Sequence, residues 1–254
     1  MPSIAPRDQS SPPAPTVEIY VGALVDVSSE VLLLEALAAH FAGTGERALL
    51  MANFNAPSGN TAARRQIDLV VATKFRAVVV EAKGFVLPVR GTINGPWQQL
   101  LGNGKWRDFA GRANPYLQSL NAKNALADAL RELDRAAEYP SAVLTFEPAP
   151  PPGSSVPSGD FKVSIVTTAK LLAMFDERSG SVDQATWRAL ADHLGLRRVR
   201  DVAEATDPKV MTRRDALRSY KDASRAYFAK ARPLAPIVLE RNIERISSDA
   251  ILSG

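Results

Sequence analysis

Residues 66–83, Gln-Ile-Asp-Leu-Val-Val-Ala-Thr-Lys-Phe-Arg-Ala-Val-Val-Val-Glu-Ala-Lys, constrain this chain more than any other stretch. Two runs rich in β-branched residues flank the short polar segment Thr73–Arg76, which is the pattern of a β-hairpin. A turn centred between Lys74 and Phe75 makes antiparallel partners sum to 149, whether the loop has two or four residues, and sets Asp68 opposite Glu81. Facing carboxylates roughly 5 Å apart repel unless a cation or a shared proton lies between them. Stability alone does not select such a pair.

The second strand of the hairpin, Ala77-Val78-Val79-Val80, is apolar at every position, which marks a central strand covered on both faces. Glu81 and Lys83 then emerge at its end, on one side by the strand's period of two. An Asp, a Glu and a Lys converging there suit phosphodiester hydrolysis with a divalent metal. The carboxylates offer hard oxygen ligands to Mg²⁺, the metal stabilises charge on the phosphate, and the ammonium orients water or the scissile phosphate. The spacing D-x12-E-x-K is weak by itself, because a hairpin whose charged end is merely solvated carries it equally well. The surrounding sequence has to decide.

Composition removes most other chemistries. The chain has no cysteine and only two histidines, His40 and His193, so a thiolate metal site and a cysteine nucleophile are excluded. A His-based zinc site or a Ser-His-Asp triad has almost no material. The lack of cysteine is in keeping with a cytoplasmic location. No run approaches the roughly 18 apolar residues of a membrane helix. Met1–Thr16 is rich in Pro and Ser without an apolar stretch, and reads as a disordered tail and not a signal peptide. Of the net charge of +4, the segment Arg197–Arg232 carries +6, from 11 Lys+Arg against 5 Asp+Glu. That excess suits a polyanionic partner, or a solvated helical face.

Along the chain, Val17–Val25 reads as a short strand. Ser28 or Ser29 offers an N-cap for a helix to about Ala42, with Leu33, Leu34, Leu37 and Phe41 at helical spacing. Glu30 lies three, four and seven residues before Leu33, Leu34 and Leu37, so it points along the apolar stripe. Either it is a favourable first-turn charge or it reaches the metal site. Arg47–Phe54 is a strand and Asn55–Arg65 a loop ending in Arg64 and Arg65, which are candidates for contact with nucleic acid. After Lys83 comes a hairpin over Phe85–Trp97, then a loop, Gly102–Arg112, whose Lys105, Arg107 and Arg112 suit phosphate and whose Trp106 suits a base or simple packing. Asn114 as N-cap and Pro115 as first residue open a helix to about Arg135. Its Gln118 shares a stripe with Ala122, Ala125, Ala129 and Leu133, which aims an amide at the sheet, toward substrate, a bound water or local backbone. Strands follow at Ser141–Phe146 and Phe161–Thr167, separated by the proline-rich loop Glu147–Asp160, and helices at Lys170–Phe175 and Asp183–Leu194. Lys209–Lys230 is a long basic helix with Arg214, Arg218, Lys221 and Arg225 on one face.

The resulting order, αβββαβ, resembles the PD-(D/E)XK nuclease superfamily and, more closely, its nuclease-related domain (NERD) family. The matching residues are Glu30-x-x-Leu33-x-x-x-Leu37, Gln66-Ile67-Asp68, Val79-Val80-Glu81-Ala82-Lys83, Gly91-Thr92-Ile93 with Trp97, and Asn114-Pro115-x-x-Gln118. Ile67 replaces the proline of the superfamily name and Ser29 the usual Gly before the first Glu. The resemblance implies a restriction-endonuclease-like α/β core, a mixed central sheet flanked by helices. It further implies that Asp68, Glu81 and the Ala82 carbonyl bind Mg²⁺ or Mn²⁺. Glu30 would complete the shell, Lys83 would activate or position water, and Gln118 would steady the site. Members of the family occur joined to helicase or kinase modules and in bacterial DNA-processing and phage-defence contexts; this sequence shows neither module.

The expected organisation is a tail, 1–16, a nuclease-like domain, 17–178, and a basic helical C-terminal region, 179–254. The expected activity is metal-dependent cleavage of DNA as an endonuclease or nickase, with RNA the other substrate the site admits. The alternative is a non-cleaving nucleic-acid-binding or targeting module of a larger nuclease–helicase or kinase assembly.

Overall fold

In the structure, a computed structural model describing residues 16–58, 61–109, 113–134 and 137–210, the hairpin of residues 66–83 forms the middle of a seven-stranded mixed sheet. Strands β1 (Val17–Val21), β2 (Ala48–Ser58), β3 (Thr61–Ala72), β4 (Ala77–Lys83), β8 (Ser141–Phe146), β9 (Ser164–Thr167) and β10 (Arg197–Val199) lie in the order β10-β1-β2-β3-β4-β8-β9. β2, β3 and β4 are successively antiparallel, and β8 joins β4 in parallel. The register predicted from the sequence holds: Leu69 pairs with Val80, Val70 with Val79 and Val71 with Val78. The Thr73 N–H donates to the Arg76 carbonyl to close the turn.

Both faces of β4 are covered, as its unbroken valine run requires. On one face, α2 (Pro115–Leu133) and α4 (Gln184–His193) pack Leu126, Leu130, Trp187 and Leu190 over Met51, Val70 and Val79. The alternate residues Leu50, Val71, Val78 and Val80 are equally buried. Against that side lie α1 (Ser28–Thr44), α3 (Thr168–Asp176) and α5 (Val202–Thr206), with Phe41 of α1 edge-on to Phe175 of α3. Gly45, in the left-handed region at φ 68, ends α1 by returning its N–H to the Phe41 carbonyl.

The structure departs from the sequence reading at several boundaries. α1 is capped by Val27 without a side-chain bond, because Ser29 is buried against Gly84 instead of bonding the helix end. The segment expected as a loop at Asn55–Arg65 is largely strand: β2 and β3 continue their pairing through Asn55↔Gln66, Ala56↔Arg65 and Pro57↔Arg64. β1 leaves off at Ala52 and β4 at Leu69, so beyond those rungs the two strands run on as a ribbon. Pro57, lacking an N–H, is tolerated at such an edge. The expected loop at Gly102–Arg112 contains a strand, β7 (Trp106–Asp108), which joins β5 (Val89–Arg90) and β6 (Gln98–Leu100) in a small second sheet. Residues 179–207, assigned from sequence to the C-terminal region, pack with the rest: α4 contributes to the core and β10 extends the sheet edge against β1. The chain divides at Asp207, and of the basic helix expected at Lys209–Lys230 all beyond residue 210, with Arg214, Arg218, Lys221 and Arg225, lies outside the described residues, as does Arg112.

The start of α2 is fixed twice by one residue. The Asn114 side-chain oxygen accepts the Leu117 N–H, while its Nδ2 donates to the carbonyls of Ile93 and Gly95. Trp97, fully buried, stacks on Phe146 below that turn. Asn114→Ala is expected to lower stability by about 1–3 kcal/mol through loss of both roles; an unchanged urea midpoint would contradict it.

Candidate active site

Asp68 lies at the rung where β3 leaves the sheet, and Glu81 is one rung past the last β3–β4 pair. Both side chains are buried, at 6% and 5% exposure. The Lys83 ammonium stands 2.5 Å from Glu81 Oε1 and 3.7 Å from Asp68 Oδ2, which is the cation between carboxylates that the sequence pattern demanded. The Ala82 N–H donates to Asp68 Oδ2 at 3.1 Å. Since the Lys83 carbonyl bonds the Glu147 N–H beside β8, strand alternation turns the Ala82 amide groups to the β3 side, where the carboxylate waits.

Opposite Asp68 sits Asn53, with φ 43, the one positive-φ residue other than glycine among those described. Ladder pairs flank it at Ala52↔Leu69 and Phe54↔Ile67, but Asn53 itself turns its carbonyl to the Ala23 N–H. Its side chain donates to the Leu24 carbonyl and accepts from Gln66 Nε2. Asn53 thus ties the segment leading into α1 to the strand that carries Asp68. Sequence reasoning passed over it, although Asn is the residue type that most readily takes this conformation outside glycine.

The cavity in front of these groups is about 440 Å³, lined from β3 by Arg64, Arg65 and Gln66, from the first turns of α1 by Ser29 and Glu30, and from α2 by Gln118 and Asn121. Gly84 allows α1 this close: a Cβ there would stand 3.0 Å from the Glu147 carbonyl oxygen and 3.3 Å from Ser29 Cβ. Glu30 is buried, as its place on the apolar stripe implied, and its Oε2 has no hydrogen-bond partner. Gln118 is a correction. It lines the cavity but is exposed, as is Leu133, because the inward stripe of α2 runs through Ser119, Ala122, Leu126 and Leu130. Lys105 and Arg107 are exposed on the small sheet and do not line the cavity. The Trp106 ring there is covered by the Arg90 guanidinium at 4.4 Å.

Burial dominates the site's electrostatics. It pushes Glu81 up to about 7, with the Asp68 charge adding to the effect. Asp68 is raised by burial against the opposing pull of Lys83 and the Ala82 N–H. Glu30 is likewise pushed up to about 7, by burial first and by Asp68 second. Burial alone would lower the Lys83 ammonium, but the Glu81 and Asp68 carboxylates outweigh it and hold it above the ordinary lysine value.

Among the described residues no three His, Cys, Asp or Glu side chains are grouped closely enough to hold a metal ion alone. The site offers instead a carboxylate pair, a neighbouring main-chain edge and the unpartnered Glu30 Oε2. That donor set fits a hard cation such as Mg²⁺, which commonly takes one or two carboxylates and keeps several waters.

A mixed α/β fold with a buried Asp-Glu-Lys cluster at the end of a central strand is the setting of a nuclease-like domain. Residues 29–146 match the family model described as the nuclease-related domain. No curated protein and no solved structure matches the chain. No helix among the described residues is long and apolar enough to cross a membrane.

The raised Glu30 sets a pH dependence. Between about 4.5 and 7 the folded protein holds a proton that the unfolded chain releases. The contribution to stability is complete below the unfolded value and lost as pH rises through the folded one. Stability of the chelator-treated protein should therefore fall across that window more steeply in the wild type than in Glu30→Gln. Denaturant midpoints at half-unit pH steps check this, and parallel curves would refute it.

Proposed function

We propose that this chain is a metal-dependent nuclease that hydrolyses phosphodiester bonds of DNA. The observation that carries the reading is the buried Asp68–Lys83–Glu81 cluster, with contacts of 3.7 and 2.5 Å, at the floor of a cavity whose rim bears Arg64 and Arg65. The αβββαβ order of α1, β2, β3, β4, α2 and β8, with β8 parallel to β4, supports a restriction-endonuclease-like core. Asp68, Glu81 and the Ala82 carbonyl would hold Mg²⁺ or Mn²⁺. Such an ion supplies Lewis-acid stabilisation of charge developing on the phosphate.

The chain's own groups divide the remaining work. Lys83, kept protonated by its two carboxylate neighbours, acts as a cation and donor toward a phosphate oxygen or the attacking water and not as a base. Glu30, with its carboxyl near 7 and an unpartnered oxygen, is suited to take the proton that water loses as its oxygen bonds to phosphorus. Gln118, at the cavity wall, orients water or substrate from its exposed amide.

Purified protein incubated with supercoiled plasmid should convert it to nicked circles with Mg²⁺ or Mn²⁺, and leave it intact with EDTA. Asp68→Asn and Lys83→Ala should each lower the rate by about 10²-fold or more while circular dichroism remains native. Cleavage retained in both variants would refute the site. A folded wild type that binds DNA but cleaves neither DNA nor RNA with any metal would refute the nuclease reading and leave a binding module.

A further inference from the structure

The ribbon formed by β2 and β3 beyond the sheet is organised toward the cavity. By the strand's period of two, Arg64, Gln66 and Asp68 follow one another on β3 in steps of about 6.8 Å, the scale of one nucleotide along an extended strand. The Arg64 side chain does not stand out from its own rung opposite Pro57. Its Nη2 donates to the Asn55 carbonyl at 2.9 Å, two rungs nearer Asp68, since Asn55 pairs with Gln66. The guanidinium is thus laid back along the ribbon over the Gln66–Asn55 rung, one same-face step from Asp68. One of its five donors is used there, and among the described residues no other partner takes the rest. Gln66 beneath it is held by Asn53.

Charge gives this placement a purpose. The cavity is lined by the acidic side chains of Glu30, Asp68 and Glu81 and by the basic ones of Arg64, Arg65 and Lys83. Lys83 is already engaged by two of the carboxylates. A phosphate chain approaching the site therefore meets its free positive charge on the ribbon, one step from the reacting centre.

We propose that Arg64 is a substrate-specificity residue that grips the phosphate next to the scissile one, so that the enzyme requires a polynucleotide strand continuing past the cut and discriminates against an isolated phosphodiester. The proposal rests on the nuclease reading and adds to it which substrates are taken.

The test uses the full chain and an oligonucleotide whose cut position has been mapped. Arg64→Ala should lower kcat/KM on the oligonucleotide by about 10- to 100-fold, the worth of a charge-assisted contact. Hydrolysis of bis(p-nitrophenyl) phosphate, which has a single diester, should fall by far less than that factor. A neutral methylphosphonate placed one phosphate from the cut, on one side only, should cost the wild type the same factor and cost Arg64→Ala nothing further. Equal loss on both substrates, or losses that multiply, would overturn the assignment. If the wild type cleaves neither substrate, the nuclease reading fails by itself, and Arg64 is then judged by fluorescence anisotropy of the same oligonucleotide in EDTA. There Arg64→Ala should weaken binding and reduce the log–log salt slope by about 1; an unchanged slope, or a wild type that does not bind, would overturn it.

Discussion

The constraint on which the rest depends is the burial of two like charges side by side. Removing a carboxylate from water costs several kcal/mol even after relaxation, and a second one beside it adds repulsion. Asp68 and Glu81 bear that cost at the edge of the central sheet because Lys83 lies between them and the Ala82 N–H meets Asp68. A fold selected for stability would fill this place with apolar residues, as it does at every preceding rung of β4, Ala77 to Val80. The valines instead make β4 rigid from both sides, and a rigid strand is what holds an ammonium between carboxylates without letting either turn to solvent.

The remaining elements bring backbone to this point and keep the approach open. Gly84 lets the first turn of α1 come against the end of β4, which delivers Glu30 to the cavity. Asn114 pins the beginning of α2 to the loop before it, which delivers Gln118 and Asn121 to the opposite wall. Asn53 takes an unfavourable conformation to withdraw from the ladder at the rung of Asp68, and spends its hydrogen bonds on the Leu24 carbonyl and Gln66. Conformational strain of this kind costs about 1–3 kcal/mol and tends to gather where geometry is being enforced.

How much of this was legible depended on how local each cause was. The hairpin register, the cluster of Asp68, Glu81 and Lys83, the burial of Glu30 and the Asn114 cap all follow from spacing within one or two elements, and each stands where the sequence places it. The ribbon was misread as a loop, because Pro57, Ser58 and Gly59 are breaker residues and the pairing that overrides them is supplied by the partner strand. Gln118 was turned the wrong way because a helix stripe has two edges, and only packing against the sheet decides that Ser119 and not Gln118 faces in. Asn53 was missed because its conformation is imposed by the Ala23 and Leu24 segment, which lies some 30 residues away in sequence.

The balance of three acids against three cations in the cavity also governs how ligands enter it. On the proposed reading, Lys83, already engaged by the carboxylates, would weaken their pull on a divalent cation alone, and the acids would weaken the arginines' pull on a phosphate strand alone. Arriving together, the two ligands would neutralise one another. The affinity of each must then rise in the presence of the other by the same factor, because coupling between two binding events is reciprocal. The site would therefore favour metal and substrate together over either alone, and hydrolysis would be confined to the moment when both are in place.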